Sequence, residues 1–480
     1  MMTTVFISYL VILIFIVAWS VRRTKTNDDF VIGGKKLSGL PLALSERATG
    51  ESAWLLLGLT GHAYAEGWSS IWVAIGCVSG VLMIWFFLAK PLQLVTDKLG
   101  ALTLSGLFIK RFPGHEKPIS RITSLVVIFF FMLYLASQFS GAGIIFNDSF
   151  GIDPFLGMML GALLVTVYTM LGGFITVVST DAFQAILMVI TCVVLPVVAL
   201  FYAVENNIIV FKTIEETSNH VIGNQGIFSF LLIINGLSWA LGYTGQPQLL
   251  TRLMAMRNSR EVRIGKIVAV FWTILAYSGA FLIGLIGYQL AKHGLLGDVS
   301  EKLSKDAEKI LPTMVMVLVN PLLAGILLSG AVSAMMSTAS SQLMVASTAI
   351  TEDFLENHGK RKITQSRKLW LNKLLIVVVG GVAILFAITM KETVYNLVSY
   401  AWSGIGASFG PAVVLLLFWR KFSVAGLYGS LIGGSLSAIF WKMFLSESTG
   451  ISERLVSYIL AFALAILLSL FYPSQKKNII

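Results

Sequence analysis

The residues best suited to chemistry in this sequence lie where charge is most costly. The segment from Leu40 to Tyr64 is apolar and long enough to cross a membrane, yet it contains Glu46, Arg47 and Glu51. Charged side chains at membrane depth generally pair with one another or face a water-filled cavity that serves a function. A simpler alternative is an ion pair between Arg47 and Glu51, four residues apart, that only holds helices together.

Small polar residues surround these charges. Ser45, Thr49, Gly50 and Ser52 are all short, and Gly50 is the predicted position at which the helix opens its backbone. An open backbone at this depth is tolerated only where it lines a cavity or is covered by protein. A broken polar helix of this kind is typical of the binding site of a transporter.

The composition indicates the class of protein that positions this segment. Of the 480 residues, 56% are hydrophobic and only 12% are charged, whereas soluble domains are nearer a quarter charged. The repeated apolar runs predict an all-α polytopic membrane protein. We predict thirteen spans, at about 3–21, 40–64, 68–89, 122–146, 154–172, 176–203, 227–245, 265–291, 319–348, 372–390, 394–419, 423–443 and 455–473.

The basic residues predict the orientation of these spans. Most of the 35 Lys and Arg residues fall in loops that are cytoplasmic if the N-terminus is outside and the C-terminus inside, as the positive-inside rule requires. Insertion topology thus explains the net charge of +11 without nucleic acid. The predicted location is the cell membrane, with the lipid bilayer as partner and no evident obligate protein partner.

A second interrupted segment suggests an internal repeat. Span seven contains Gly236, Gly242, Gly245 and Pro247, which weaken a helix or remove a backbone donor. Spans two and seven are five apart, so spans 2–6 and 7–11 are predicted to form two inverted halves with a binding site at the midplane. The predicted divisions of this single transmembrane domain are 1–39 (first span and loop), 40–203 (first repeat), 227–419 (second repeat) and 423–480 (two peripheral spans and tail).

Span nine offers hydroxyl groups for a cation. Ser333, Ser337 and either Ser340 or Ser341 recur at helical spacing, and Thr338 follows Ser337. A monovalent cation can bind hydroxyl and freed carbonyl oxygens without a full set of carboxylates. The alternative is that these small residues only allow close helix packing.

Aromatic residues suit an organic ligand. Trp239 and Tyr243 share one face of span seven, and Tyr134 in span four precedes Ser137 and Gln138. Aromatic rings with polar groups opposite a polar break suit a small zwitterion with an apolar body. Core packing is the alternative for each of them.

Three other features are interpreted structurally. The glycines of Leu171–Phe174 predict a tight turn, and Thr180 and Asp181 are interpreted as capping residues of span six. Residues 292–318 form either a lid over the outer mouth or an interfacial helix.

We find no phosphate-binding loop, C-x-x-C pair or histidine pair at metal-ligand spacing, so the sequence predicts no enzyme and favours transport driven by an ion gradient.

Several motifs resemble the sodium/solute symporter family, and within it the bacterial sodium/proline symporters. The likeness extends from Phe30 to about Trp441. The motifs that carry it are Phe30–Gly39, Tyr168–Val177, Ser179–Gln184, Ser238–Pro247, Met335–Leu343, Ala349–Asp353 and Val398–Pro411. The resemblance implies a LeuT-type inverted-repeat core, alternating access and sodium-coupled uptake.

The resemblance also implies two sites. A sodium site would use backbone oxygens near Ala48 and Glu51, the Ala334 carbonyl and the hydroxyls of Ser337 and Thr338. The implied substrate site consists of Ser52, Trp54, Tyr134, Trp239, Tyr243 and Gln246.

This chain departs from the proline symporters in span two. They have an aspartate where this chain has Gly50, and small residues at the positions of Glu46 and Arg47. Glu51 is the nearest acid, but one residue turns the direction on a helix by about 100°. Either Arg47 is locked to the glutamates and the sodium site is intact, or Arg47 replaces the cation and transport is uncoupled or proton-coupled through Glu46 or Glu51.

The leading hypothesis is a secondary symporter that brings a small amino acid, proline first, into the cell with sodium. A symporter of the same family for a carboxylate, vitamin or sugar is the main alternative. A solute sensor would be expected to have an attached signalling domain, and a channel would need a selectivity filter or charged ring. A single occluded site fits transport better than either.

Overall fold

The computed structural model describes residues 1–210, 227–297, 300–358, 363–390 and 392–473. Within these ranges the chain is helical, with short turns and no β-strand. Residues 298 and 299, within the region predicted as a lid or interfacial helix, lie outside the described residues.

The first half of the chain forms nine α-helices. They are α1 (Met2–Val21), α2 (Asn27–Ile32), α3 (Gly39–Ala53), α4 (Thr60–Glu66), α5 (Ile71–Met83), α6 (Ala89–Leu99), α7 (Leu104–Arg111), α8 (Glu116–Phe150) and α9 (Pro154–Glu205). Wider π-helical turns at Trp54–Leu59 and Ile84–Leu88 join α3 to α4 and α5 to α6.

The second half continues in the same way from residue 227. Its helices are α10 (Ile227–Leu237), α11 (Trp239–Tyr243), α12 (Pro247–Met254), α13 (Ser259–Lys292), α14 (Ser300–Lys305), α15 (Ile310–Leu318), α16 (Pro321–Thr348), α17 (Glu356–His358), α18 (Gln365–Thr389), α19 (Val394–Phe418), α20 (Val424–Phe444), α21 (Ser446–Thr449) and α22 (Glu453–Phe471). A π-helical segment, Ala349–Leu355, extends α16.

Ten helical stretches in the described residues are long and apolar enough to cross a membrane. Two of them exceed one crossing: Gly39–Leu99 has 61 residues and Pro154–Glu205 has 52. Backbone breaks divide both, at Gly67 with φ 65° and at Gly173 with φ 61°. The positive φ of Gly173 confirms the predicted glycine turn, while the count of thirteen spans and their orientation stay predictions.

Apolar side chains cover the outer surface of the helices and charged side chains lie in the interior, the reverse of a soluble protein. Large apolar side chains such as Phe15, Phe201 and Phe271 are exposed on the outer helices, where lipid is the solvent. The charged side chains of span two are fully buried. Helix α3 packs against α9, α13 and α16, so three long helices enclose the predicted binding segment.

The region predicted as a lid or interfacial helix folds onto the protein. Ile310 and Met314 of α15 are buried, and α15 packs against α8, α9, α13 and α16. Ahead of it, Glu308 is 5% exposed and accepts hydrogen bonds from the backbone N–H groups of Val394 (3.0 Å) and Tyr395 (2.8 Å). The segment is thereby attached to the first turn of α19.

The break at Gly173 should be sensitive to a side chain. Its φ of 61° and ψ of −152° suit glycine only, and a Cβ there would lie 2.8 Å from the Phe30 carbonyl oxygen. Gly173→Ala should lower the free energy of unfolding by about 2 kcal/mol or more, measured by thermal unfolding in detergent. The control is Gly381→Ala in α18, where a Cβ meets nothing within 4 Å; equal melting temperatures for both variants would contradict this account.

The Glu308 contact should respond to pH. Burial, with a smaller effect from Asp306, raises the pKa of Glu308 from 4.5 to about 7. An opened segment would return this carboxyl to water and a lower pKa, so the attached state binds the proton more tightly. Attachment is therefore expected to be strongest below about pH 4.5 and to weaken as the pH rises through about 7.

Labelling of an introduced cysteine measures this. In a chain with Cys77 and Cys192 replaced by serine, A307C should react with an impermeant maleimide relatively faster at pH 8.5 than at pH 6. Its rate is divided by that of the exposed S304C to remove the intrinsic pH dependence of thiols. Glu308→Gln should abolish the dependence, and a ratio unaffected by pH in the parent would refute the prediction.

Candidate functional site

The backbone of span two opens at Ser52, which corrects the predicted break at Gly50. Ser52 has φ 31° and ψ −172°, whereas Gly50 remains helical. Side chains satisfy the donors that follow: Ala53 N–H donates to Gln138 Oε1 (2.9 Å) and Trp54 N–H to Ser52 Oγ (3.0 Å). The break lies where these acceptors are available, because unpaired backbone groups at this depth are costly. Gly50 instead gives room to Leu249, whose side chain would lie 3.3 Å from a Cβ.

Arg47 is held between two carboxylates. Its Nε donates to Glu46 Oε2 at 2.6 Å, and its Nη2 donates to the other oxygen of Glu46. Its Nη1 donates to Glu51 Oε1 at 2.7 Å and to Thr273 Oγ1 at 3.4 Å. All three charged side chains are 0% exposed. The ion pair considered from the sequence is therefore present and includes a second acid.

Aromatic residues complete this cluster. The indole N–H of Trp85 donates to Glu46 Oε2 at 3.0 Å. The Tyr277 hydroxyl makes a short hydrogen bond to Glu51 Oε2, and the Tyr243 hydroxyl donates to the same oxygen at 3.4 Å. Two carboxylates and one guanidinium leave the cluster with one formal negative charge.

Four of the five predicted sodium ligands lie together beside this cluster, namely Ala48, Ala334, Ser337 and Thr338. Ser337 Oγ lies 3.0 Å from the Ala48 carbonyl oxygen and 3.1 Å from that of Ala334. Thr338 Oγ1 lies 2.9 Å from the carbonyl oxygen of Thr49, which the sequence did not single out. The Glu51 carbonyl accepts the N–H of Trp54 within the turn. These hydroxyl and carbonyl oxygens are the hard donors that a small monovalent cation requires.

The predicted substrate residues form two adjoining aromatic contacts. The rings of Trp54 and Trp239 lie 4.4 Å apart, and those of Tyr243 and Trp402 lie 4.7 Å apart at 74°. Trp239 also lies 6.3 Å from Trp402, which joins the two contacts. Tilted and edge-on rings of this kind offer apolar surface on which a small apolar body could pack.

The other predicted substrate residues differ in how many of their hydrogen-bonding groups already have partners. The Tyr134 hydroxyl donates to Ser52 Oγ at 3.4 Å, so both lie at the break. Gln246 is fully buried, and its amide donates to the carbonyls of Gly242 (3.3 Å) and Trp402 (3.2 Å) while its oxygen accepts from Gln248. Gln246 thus joins the interrupted span seven to α19 in this conformation.

Asp181 is not the helix cap that its sequence context suggests. The helix resumes directly after Gly173, so Asp181 lies two turns inside it and is 0% exposed. Its Oδ2 lies 3.3 Å from Arg252 Nη2 and accepts hydrogen bonds from Ser45 (2.7 Å) and Thr49 (3.2 Å). Arg252 also donates to Ser341. This second buried pair connects spans two, six and nine through α12, the short helix that follows span seven.

Sequence reasoning missed Tyr277 and Trp85, which complete the acidic cluster. Both stand in apolar runs where an aromatic residue is ordinary. Only their three-dimensional contacts distinguish them. A hydroxyl or indole N–H within an apolar span, combined with unpaired acids elsewhere, is the only signal that the sequence contained.

The sequence matches known proteins along nearly its whole length. Residues 30–434 match the sodium:solute symporter family. The osmoregulated proline transporter OpuE of Bacillus subtilis is 32% identical over 98% of this chain and 94% of its own length. The sodium/proline symporter of Escherichia coli is 36% identical over 90% of this chain and 86% of its own length.

Solved structures show the same fold. A sodium-coupled sialic acid symporter in a substrate-bound outward-open state matches with a TM-score of 0.80 and 18% identity, covering 99% of both chains. MhsT in complex with L-phenylalanine matches with a TM-score of 0.54 and 15% identity, covering 90% of this chain and 98% of that chain. The family match over residues 30–434 and the relatives of more than 30% identity establish that the chain is a multi-pass membrane protein of the sodium:solute symporter family.

Proposed function

We propose that this protein carries a small amino acid, proline first, into the cell together with sodium by alternating access. We further propose a LeuT-type core of two inverted five-span repeats, with thirteen spans, the N-terminus outside and the C-terminus inside. The fold match and the proline transporters among its relatives support this proposal.

One observation carries the choice of sodium. Ser337 and Thr338 of α16 meet the carbonyls of Ala48 and Thr49 just before the break in span two. The sites of sodium-coupled transporters combine unwound carbonyls with nearby helices in this way. The cluster of Glu46, Arg47 and Glu51 adds one formal negative charge, which a monovalent cation neutralises. Bringing that cation into the buried site is therefore electrostatically favourable.

The aromatic contacts support a small substrate with an apolar body. Trp54, Trp239, Tyr243 and Trp402 provide closely spaced rings, and the Tyr134 hydroxyl adds a polar group at the break. A compact amino acid has both an apolar ring or chain to pack on them and charged ends for polar partners.

The position of Arg47 favours one coupling scheme over the other. A guanidinium that replaced the cation would be expected among the oxygens of the cation site. Arg47 instead directs its hydrogen bonds to Glu46, Glu51 and Thr273. Its contacts therefore support an internal ion pair beside a separate sodium site.

Uptake of labelled proline into proteoliposomes tests the proposal. An inward sodium gradient should stimulate uptake, and an inward proton gradient alone should not. Uptake that follows protons and ignores sodium would reject sodium coupling. No uptake under either gradient would reject proline as substrate, and a thermal-shift panel of small solutes would then identify the ligand.

The sodium ligands can be tested one by one. Ser337→Ala and Thr338→Val should each raise the sodium concentration for half-maximal uptake about tenfold, because a hydrogen-bonding oxygen beside a charged ligand contributes about 1.5 kcal/mol or more. Ser347→Ala is the matched control, since Ser347 is buried on the same helix but bonds only its own turn, at Met344. Equal effects of all three substitutions would contradict the assignment of Ser337 and Thr338 as sodium ligands.

Replacing Arg47 separates the two coupling schemes. Arg47→Gln leaves two buried carboxylates without a cationic partner and should lower the free energy of unfolding by about 3–5 kcal/mol, while sodium dependence persists. The double variant Glu46→Gln/Arg47→Gln keeps the formal charge and should recover part of the loss. The readout is the melting temperature with and without sodium. A wild type that sodium does not stabilise, with a response appearing only in Arg47→Gln, would instead show that Arg47 replaces the cation.

A further inference from the structure

Three polar groups meet at one oxygen in the centre of the protein. The hydroxyls of Tyr243 and Tyr277 lie 2.6 Å apart, and each lies within hydrogen-bonding distance of Glu51 Oε2. All three side chains are essentially unexposed. Span two, span seven and span eight thus each contribute one member of an acidic centre, defined here as Glu51, Tyr243 and Tyr277.

The acidic centre adjoins the aromatic contacts assigned to the substrate. The Tyr277 ring lies 6.1 Å from that of Trp54, and the Tyr243 ring lies 4.7 Å from that of Trp402. The same tyrosines therefore supply hydroxyls to Glu51 and ring faces or edges to the aromatic site. A ligand packed on these rings would have the acidic centre at one end.

The two oxygens of Glu51 have different partners. Oε1 faces Arg47 at 2.7 Å, whereas Oε2 contacts only the two neutral hydroxyls among its hydrogen bonds in the described residues. Arg47 directs its other bonds to Glu46, which also receives Trp85. The formal negative charge left over by the cluster is therefore least compensated at Oε2. A buried carboxylate oxygen interacts strongly with a cationic hydrogen-bond donor.

A second, independent group could serve the carboxylate of such a ligand. The Trp54 side chain is 2% exposed, and its indole Nε1–H has no hydrogen-bond partner among the residues that the structure describes. Buried indole N–H groups usually have an acceptor. A carboxylate is such an acceptor, so the aromatic site combines an unused donor with an acidic centre.

We propose that the acidic centre binds the positively charged nitrogen of the substrate, with Glu51 as the residue that selects for it. This inference rests on the proposed function and narrows its substrate class. The transporter accepts small amino acids whose nitrogen is protonated, and it rejects carboxylates of the same shape that lack the charged nitrogen. Tyr243 and Tyr277 position Glu51 and offer their hydroxyl oxygens to the same nitrogen.

A pair of ligands that differ in one ring atom tests this. L-proline and tetrahydrofuran-2-carboxylate share ring size and carboxylate, but the second has an ether oxygen in place of the charged nitrogen. Both are measured as competitors of labelled proline on the full-length purified protein at saturating sodium. Wild type should prefer proline by about 100-fold, as expected for a buried charged hydrogen bond.

The variants should change this preference differently. Glu51→Gln should reduce the proline preference at least tenfold, and Tyr277→Phe about fivefold. The matched control is Tyr458→Phe, which removes a buried tyrosine hydroxyl that contacts Thr244 Oγ1 at 2.9 Å and not Glu51, and it should keep the preference within twofold. Tyr277→Phe keeps the proposal testable if Glu51→Gln does not fold.

The outcomes distinguish this inference from the proposed function. Equal loss of affinity for both ligands in Glu51→Gln and Tyr277→Phe would overturn the inference, because it would assign these residues to the sodium site or to stability. Wild type that binds the two ligands equally would also overturn it while leaving symport intact. Sodium-independent uptake with an unchanged proline preference would reject sodium as the coupling ion and support the role of the acidic centre in selecting the substrate.

Discussion

The structure depends on the burial of a guanidinium between two carboxylates at the depth of a membrane. Arg47 reaches Glu46 and Glu51 at hydrogen-bonding distance, with all three side chains inaccessible to solvent. Removing one partner of such a group leaves an uncompensated charge, which is strongly unfavourable in a low-dielectric interior. The surrounding helices must therefore supply every remaining partner, and Thr273 and Trp85 do so from two other spans.

The same requirement governs the backbone. Where span two opens at Ser52, the freed N–H groups are bonded by Gln138 and by Ser52 itself. One turn earlier, Asp181 and Arg252 fix Ser45 and Thr49. The break thus directly follows a helical segment that two buried ion-pair clusters hold in place. Such support lets an unwound segment hold carbonyl oxygens at fixed positions while its backbone N–H groups stay hydrogen-bonded, which lipid could not provide.

Much of this arrangement was predictable because charge and hydroxyl groups stand out in apolar sequence. Glu46, Arg47 and Glu51 marked the centre of the site, and Ser337 and Thr338 marked the helix that meets it. The break was predicted at the wrong residue because its position depends on Gln138, which lies 85 residues from its partner Ala53. Asp181 was misread as a cap because its local context fits one, whereas its partner Arg252 lies 71 residues later. Tyr277 gave no local signal, since its role arises only from the packing of α13 on α3.

The leftover negative charge of the Glu46, Arg47 and Glu51 cluster has a consequence for energy supply. In the proposed symport, a sodium ion neutralises that charge and a zwitterionic amino acid adds none. The loaded site therefore has almost no net charge when it changes from outward-facing to inward-facing within the electric field. The empty carrier keeps its formal charge of −1. The membrane potential, about 2.3 kcal/mol per charge for each 100 mV, would then act mainly on the return of the empty carrier. A negative cell interior would drive the vacant site back outward, so the voltage-sensitive step would be resetting rather than uptake.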